Sequence, residues 1–312
     1  MTATPVRVVG GEEIRRALTF PALIKAMEAS HRRPRMETRD VLMGPEAAHY
    51  FVRSATDHGR AFGSKLIASF PGRQPAVQAI YVLFDGVTGR PRAVLDGTEI
   101  TCWKTAADSA LGASLLAPAD PQTMVMVGAG AMAPWLVRAH RSVRPSLRRV
   151  LVWNRTPARA ETVAAALRTD GVAAEATADL AAAVRQAQVI SSATRTHTPL
   201  IEGAWLQRGA HLDLVGGYTP DTREADDEAA RRCRVFVDCL ESAFDGVGDI
   251  LAPIASGAIR REDVRGDLYD LIGGGVPGRL GPDDITCFKN AGGGHLDLMT
   301  AQAIMAALDD GH

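Results

Sequence analysis

The spacing of apolar residues along the chain changes character near residue 120. Before that point, Ile14, Leu18, Leu23, Ile24 and Met27 recur at helical spacing and predict a helix over residues 11–33, ended by Pro34-Arg35. Apolar, β-branched and aromatic runs then predict strands at residues 50–53, 62–70 and 79–84, with a turn over 85–90 and another strand at 93–96. An Ala-rich helix is expected over residues 100–116, and Pro118 and Pro121 mark its exit.

From Met124 the pattern becomes strand, helix, strand. Apolar runs at 124–127, 150–153, near Val172, and at 189–193, 211–215 and 235–238 predict strands. Helical patterns at 158–168 and 180–187 lie among them. Such alternation implies a parallel sheet with right-handed crossovers, the Rossmann-type doubly wound α/β fold class. A last strand-like run at 285–288 precedes a terminal helix, and this tail is expected to cross back to the first domain. The expected domains are therefore a discontinuous α+β domain of residues 1–120 with 288–312, and a dinucleotide-binding domain of 121–287.

The first strand of the second region ends in Gly128-Ala129-Gly130-Ala131-Met132-Ala133, a G-x-G-x-x-A turn that opens a helix. Gly128 permits the tight turn, Gly130 lets backbone approach a pyrophosphate, and Ala133 allows close helix–strand packing. The free N–H groups of the helix start then face an anion. The end of the second strand reads the ribose. It carries Asn154, Arg155 and Thr156, with Arg159 one turn later, where NAD sites place a carboxylate. A guanidinium binds a phosphate bidentately, so NADP(H) is expected over NAD(H). Ser192, Ala193 and Thr194, and likewise Val215 and Gly216, end later strands beside the turn and complete the expected cofactor site, together with Asn290.

Composition removes other classes. In 312 residues, Lys+Arg 35 against Asp+Glu 36 gives a formal charge of −1, so no global field favours nucleic acid or a membrane surface. No apolar stretch reaches spanning length and the N-terminus has no signal-type core, so the cytoplasm is the expected compartment. Cys102, Cys233, Cys239 and Cys287 show no metal-ligand spacing and read as reduced thiols.

With these residues in place, nearly the whole chain resembles the ornithine cyclodeaminase/μ-crystallin family. The resemblance rests on Phe62-Gly63-Ser64-Lys65, Leu83-Phe84-Asp85 with Thr88-Gly89, Leu95-Asp96-Gly97, and Lys104-Thr105-Ala106-Ala107 with Ser109-Ala110-Leu111. It continues in residues 128–132, Tyr218-Thr219-Pro220-Asp221 with Arg223-Glu224, and Asp284-Ile285-Thr286 with Phe288-Lys289. It implies a homodimer formed through the discontinuous domain, and a cationic pocket for a small α-imino or α-amino acid facing the nicotinamide. Arg35 matches the first arginine that clamps the substrate carboxylate, and Lys65 matches the lysine that binds substrate and moves protons. Lys104 stands where many members have a second Arg, which keeps the charge but loses the fork. Ala291 is expected on the substrate. Cyclodeaminases and alanine dehydrogenases of the family carry an Asp where this chain has Tyr218. A phenol donates a proton but is a poor base at neutral pH. Asp221 is the nearest carboxylate, read either as an acid or as a cap for a helix starting near Thr222.

Three readings follow. The first is an NADPH-dependent reductase of a cyclic or open ketimine acid, such as Δ1-pyrroline-2-carboxylate to L-proline, with Lys65, Tyr218 and Asp221 as catalytic candidates. The second is an NAD-dependent ornithine cyclodeaminase, which Tyr218 and Arg155 fit poorly. The third is a binder without turnover, like μ-crystallin, against which the retained cations argue.

Overall fold

The computed structural model describes residues 5–45 and 47–310. The chain opens with β1 (Arg7–Val9), α1 (Gly11–Ala17) and α2 (Phe20–His31). Strands β2 (Glu37–Met43), β3 (His49–Asp57), β4 (Ala61–Ser69), β5 (Val77–Asp85) and β6 (Pro91–Asp96) follow, then helix α3 (Gly97–Leu116). The alternating part comprises β7 (Thr123–Val127), α4 (Ala133–Val143), β8 (Arg149–Trp153), α5 (Pro157–Thr169), β9 (Ala173–Thr177), α6 (Leu180–Gln186), β10 (Val189–Ser192) and β11 (His211–Leu214). It continues through α7 (Asp227–Arg232), β12 (Arg234–Val237), α8 (Leu240–Ala243), α9 (Gly248–Ala255), α10 (Leu268–Gly273), β13 (Thr286–Lys289) and α11 (Gly294–Asp310).

Contacts divide the chain into one unit of Met1–Thr105 with Gly293–His312 and a second of Ala106–Gly292. The division runs inside α3, whereas the sequence suggests breaks at 120/121 and 287/288. Periodicity marks where a helix ends, not which neighbours its turns touch. Gly112 of α3 sits so close to Phe288 that an added Cβ would come within 2.7 Å of the ring.

In the first unit six strands run in the order β1-β6-β5-β4-β3-β2. All neighbours are antiparallel except β1, which joins β6 in parallel. Helix α11 packs against β2, β3, β4 and β5, and α2 packs against α11. The expected helix over 11–33 is two helices, α1 and α2. Leu18 is extended, the Thr19 hydroxyl accepts the Ala22 N–H at 3.4 Å, and Pro21 lies in the first turn of α2. Proline lacks the N–H that a continuous helix needs, so the chain restarts there. Strands β1 and β2 have no counterpart in the sequence reading. Strand β2 is polar and exposed over most of its length, and pairing to β3 rather than burial holds it.

The second unit is a doubly wound α/β domain whose seven strands are all parallel, ordered β12-β13-β11-β10-β7-β8-β9. The chain order reverses between β7 and β10, the switch point where such sheets bind ligands beyond their carboxyl ends. Met124, Val125, Met126 and Val127 are wholly buried, as a strand covered on both faces requires. One expectation fails here. The run at 285–288 does not leave with the tail but enters this sheet as β13, between β11 and β12, and only α11 joins the first unit. It pairs with both neighbours, Phe288 standing in register with Asp213 and Phe236. Among the described residues no helix is long and apolar enough to cross a membrane, and all four cysteines are free.

Candidate functional site

In the second unit the glycine turn has the expected geometry. Gly128 takes φ +102°, and a Cβ there would lie 2.7 Å from the Ala193 carbonyl, so only glycine fits. A Cβ on Gly130 would meet nothing within 4 Å, which leaves the approach to the turn open. Ala129 and Ala131 complete the turn, and Met132 is the N-cap of α4. No side chain caps α4, and Pro134 occupies its first turn. An uncapped helix start beneath open space is the cradle a pyrophosphate needs. On this observation the residues present fit a dinucleotide.

In the loop after β8, Asn154 is tied to the glycine turn. Its Oδ1 accepts the Ala129 N–H at 3.3 Å and its Nδ2 donates to the Thr156 carbonyl at 3.0 Å, bracing the turn against the loop. Arg155 and Arg159 are exposed beside it, and no carboxylate stands in residues 153–159.

The strand-end residues converge as expected. Ala193 N–H donates to Val127 at 2.9 Å and Val215 N–H to Ser192 at 2.8 Å, while Asn290 N–H donates to Leu214 at 3.0 Å. A Cβ on Gly216 would lie 1.9 Å from the Thr194 carbonyl. What gathers these loops is Glu224, which the sequence reading used only as a motif letter. Its Oε1 accepts from Ser192 Oγ at 2.5 Å, Thr194 N at 2.7 Å and Thr194 Oγ1 at 2.8 Å. Its Oε2 accepts from Val215 N at 3.0 Å and Gly216 N at 2.5 Å. Behind it Asp249 takes the Glu224 N–H at 2.7 Å and the Lys289 ammonium at 3.0 Å. Burial and the Asp249 carboxylate push the Glu224 carboxyl up, while Lys289 and the donors hold its anion.

The two acid–base candidates of the second unit lie at its surface. Tyr218 is 48% exposed, with Arg195 over its ring at 5.9 Å. Asp221 caps no helix, because α7 starts at Asp227 and is capped by Asp226, whose carboxylate accepts the Ala229 N–H at 2.8 Å. The Thr219 hydroxyl, donating at 2.8 Å, holds the exposed Asp221 carboxyl below the usual range. A carboxyl held low is ionised at neutral pH and is no proton donor there. Ala291 packs against the apolar core of this unit.

In the first unit the register places Arg53, Lys65 and Tyr81 in one row across β3, β4 and β5. Lys65 is 3% exposed, and its ammonium donates to Asp297 Oδ1 at 2.7 Å and Thr101 Oγ1 at 3.2 Å. Burial lowers its pKa to about 8, against the pull of Asp297. Lys104, from α3, is also buried and acts on both Lys65 and Asp297. Arg53 donates to Asp40 at 3.0 Å. Arg35 is exposed in the connection from α2 to β2. Together with His31, Lys104 and Arg53 it adds to the burial that drives His295 well below its ordinary pKa, so that imidazole is neutral. The expected Arg35, Lys65 and Lys104 thus belong to one cationic cluster. Arg53, Tyr81, His31, His295 and Asp297 were missed. For the first two the signal was strand alternation from Lys65; for Asp297 there was none short of the fold.

The ornithine cyclodeaminase/mu-crystallin family matches residues 13–312. Over 293 residues the chain is 44% identical to the Delta(1)-pyrroline-2-carboxylate reductase of Paracoccus denitrificans, covering 92% of each. The iminosuccinate reductase of Paracoccus denitrificans, in complex with NAD+, superposes with TM-score 0.88 at 30% identity, over 98% of this chain and 97% of that one. The Thermococcus litoralis Delta(1)-pyrroline-2-carboxylate reductase, in complex with NADH and L-proline, has TM-score 0.91 at 24% identity, over 98% of both chains, and shows the shared fold.

Proposed function

This chain belongs to the ornithine cyclodeaminase/μ-crystallin family, and from that premise we propose that it is an NAD(P)H-dependent reductase of a cyclic or open ketimine acid, such as Δ1-pyrroline-2-carboxylate giving L-proline. The observation that carries the reading is the buried Lys65–Asp297 pair beside the cations Arg53 and Lys104, with Arg35 near His295. Such a cluster binds a small carboxylate and holds one ammonium able to give up a proton near neutral pH. The glycine turn, α4 and the loops gathered by Glu224 would hold the dinucleotide, which supplies hydride when bound. Arg35 and Lys104 orient the substrate carboxylate, and Lys65 protonates the imine nitrogen. Tyr218 stands exposed at the position where the resemblance implies a carboxylate for deaminating members, which favours reduction over the cyclodeaminase reading.

For the cofactor we propose NADP(H). Arg155 and Arg159 are exposed beside the turn, no carboxylate stands there, and Asn154 is committed to the loop. The test is one assay series. The purified protein should oxidise NADPH with Δ1-pyrroline-2-carboxylate far above background, with at least about tenfold better efficiency than NADH, or ~1.4 kcal/mol. Arg155→Ala should remove that preference and leave NADH nearly unchanged. Binding of imino acids without oxidation of either cofactor supports the binder; turnover of ornithine with NAD supports the cyclodeaminase. Equal use of both cofactors sinks the NADP(H) proposal alone.

The face of the first unit's sheet opposite α11 is apolar where an antiparallel sheet usually turns polar side chains to water. Val41, Met43, Tyr50, Phe62 and Ile80 are all exposed on it, and Phe62 stacks on Phe84 at 4.8 Å. We propose that a second copy of this chain covers it, forming a closed, self-complementary dimer. Light scattering should return the mass of two chains, and Phe62→Glu should reduce it to one. A single-chain mass for the wild type overturns the dimer.

A further inference from the structure

The Lys65–Asp297 pair leaves one oxygen over. Oδ1 of Asp297 takes the Lys65 ammonium, but Oδ2 is buried and has no hydrogen-bond partner among the described residues. An ionised oxygen without a donor is among the costliest groups to leave in a protein interior. What faces it is one-sided. Lys65 comes from β4, Arg53 from β3, Lys104 from α3, and Tyr81 from β5. On α11 itself, His295 is neutral and has His31 and Arg35 near it. The Tyr81 hydroxyl is also buried and has no hydrogen-bond partner among the described residues, and burial beside Asp297 keeps it protonated, a donor only. Asp297 is therefore the buried anionic acceptor of a cluster otherwise made of cations and neutral groups.

An imino acid brings two needs into such a place. Its carboxylate is served by the cations. Its nitrogen is not, because an imine accepts hydride readily only when protonated, and the iminium formed at the expense of the Lys65 ammonium is a cation beside Arg35, Arg53 and Lys104. An anionic oxygen aimed at the new N–H offsets that repulsion.

We propose that Asp297 is a catalytic residue: its Oδ2 accepts the N–H of the substrate's iminium while its Oδ1 holds Lys65 as the proton donor. This rests on the reductase reading above. The nitrogen–hydrogen bond forms as the Lys65 Nζ–H bond breaks, the electron pair staying on Nζ. The imine carbon then receives hydride with its two electrons, and the C=N π pair becomes the lone pair of the secondary amine. Lys65 regains its proton from water.

The experiment compares two ligands by calorimetry, with the oxidised nicotinamide cofactor present. One is L-proline, which carries N–H, and the other is tetrahydrofuran-2-carboxylate, which has oxygen at that position and the same carboxylate. The wild type should bind proline at least about tenfold more tightly, a typical margin for one charge-assisted hydrogen bond. In Asp297→Asn the two affinities should come within about threefold. The kcat/KM deficit of that variant should also widen as pH rises. Loss of the anion lowers the proton affinity of the bound imine and of Lys65, and acid solution supplies the missing proton. A merely structural role would lower melting temperature and cofactor affinity but would not erase the ligand discrimination or tilt the pH profile.

An active wild-type reductase that binds both ligands alike overturns the proposal alone, and needs no variant to fold. So does Asp297→Asn with unchanged discrimination and pH profile. A wild type that neither binds proline nor reduces any cyclic imino acid removes the reductase reading, and this proposal with it.

Discussion

Lys65→Ala should lower kcat/KM with a cyclic imino acid by at least about a hundredfold, a loss of ~2.7 kcal/mol or more in transition-state stabilisation. The size follows from position. Lys65 is 3% exposed, and its ammonium lies 2.7 Å from a carboxylate. Alanine removes the proton donor and leaves Asp297 as an unpaired buried charge. Because burial lowers the Lys65 pKa to about 8, the donor form is complete below that pH and lost above it. The wild-type kcat/KM should therefore fall as pH rises through about 8, and Lys65→Ala should lack that limb. Tyr218→Phe should cost less, since the phenol is half exposed and only Arg195, among the described residues, lies over its ring. Near-normal turnover in Lys65→Ala, measured beside an unchanged cofactor affinity, would place the proton donor elsewhere.

Glu224→Ala should cost stability and cofactor binding together. Five donors from two loops converge on its carboxylate: Ser192 Oγ, both polar groups of Thr194, and the N–H groups of Val215 and Gly216. Removing the acceptor leaves them buried and unsatisfied, a loss of about 3 kcal/mol or more. Glu224→Gln should not rescue, because donors face both oxygens and the amide NH2 would meet them wherever it points. Both variants should melt earlier and need tenfold or more additional cofactor for half-saturation, the expected result of loops no longer held at the strand ends (~1.4 kcal/mol). Wild-type melting and cofactor titration in Glu224→Ala would show that backbone packing alone, such as Gly216 on Thr194, holds the loops.

These two residues mark the limit of what a linear reading reaches. Lys65 was legible because a lysine within an apolar strand pattern is rare without a purpose. Glu224 was visible as a motif letter, but its role depends on the ends of β10 and β11 arriving together. Asp221, left open between an acid and a cap, caps no helix: Pro220 and Thr222 look like a helix entrance, whereas the segment closes as a turn on the Thr219 hydroxyl and carbonyl. The helix over 11–33 failed for a local reason that the sequence did contain, namely Thr19 followed by Pro21.

By itself the sequence determined the local and periodic features: the glycine turn at 128–133, the parallel strand–helix alternation, the cations on the loop after β8, and Lys65 in its strand. Each depends on bonds or spacings within a few residues, so each is written in consecutive letters. Tertiary structure decided the rest. It set β13 between β11 and β12, turned Asn154 inward, and aligned Arg53, Lys65 and Tyr81 across three strands. It also brought Asp297 to Lys65 across 232 positions of chain. Contacts of that kind depend on strand register and on which helix face is buried, and packing of the whole unit chooses both.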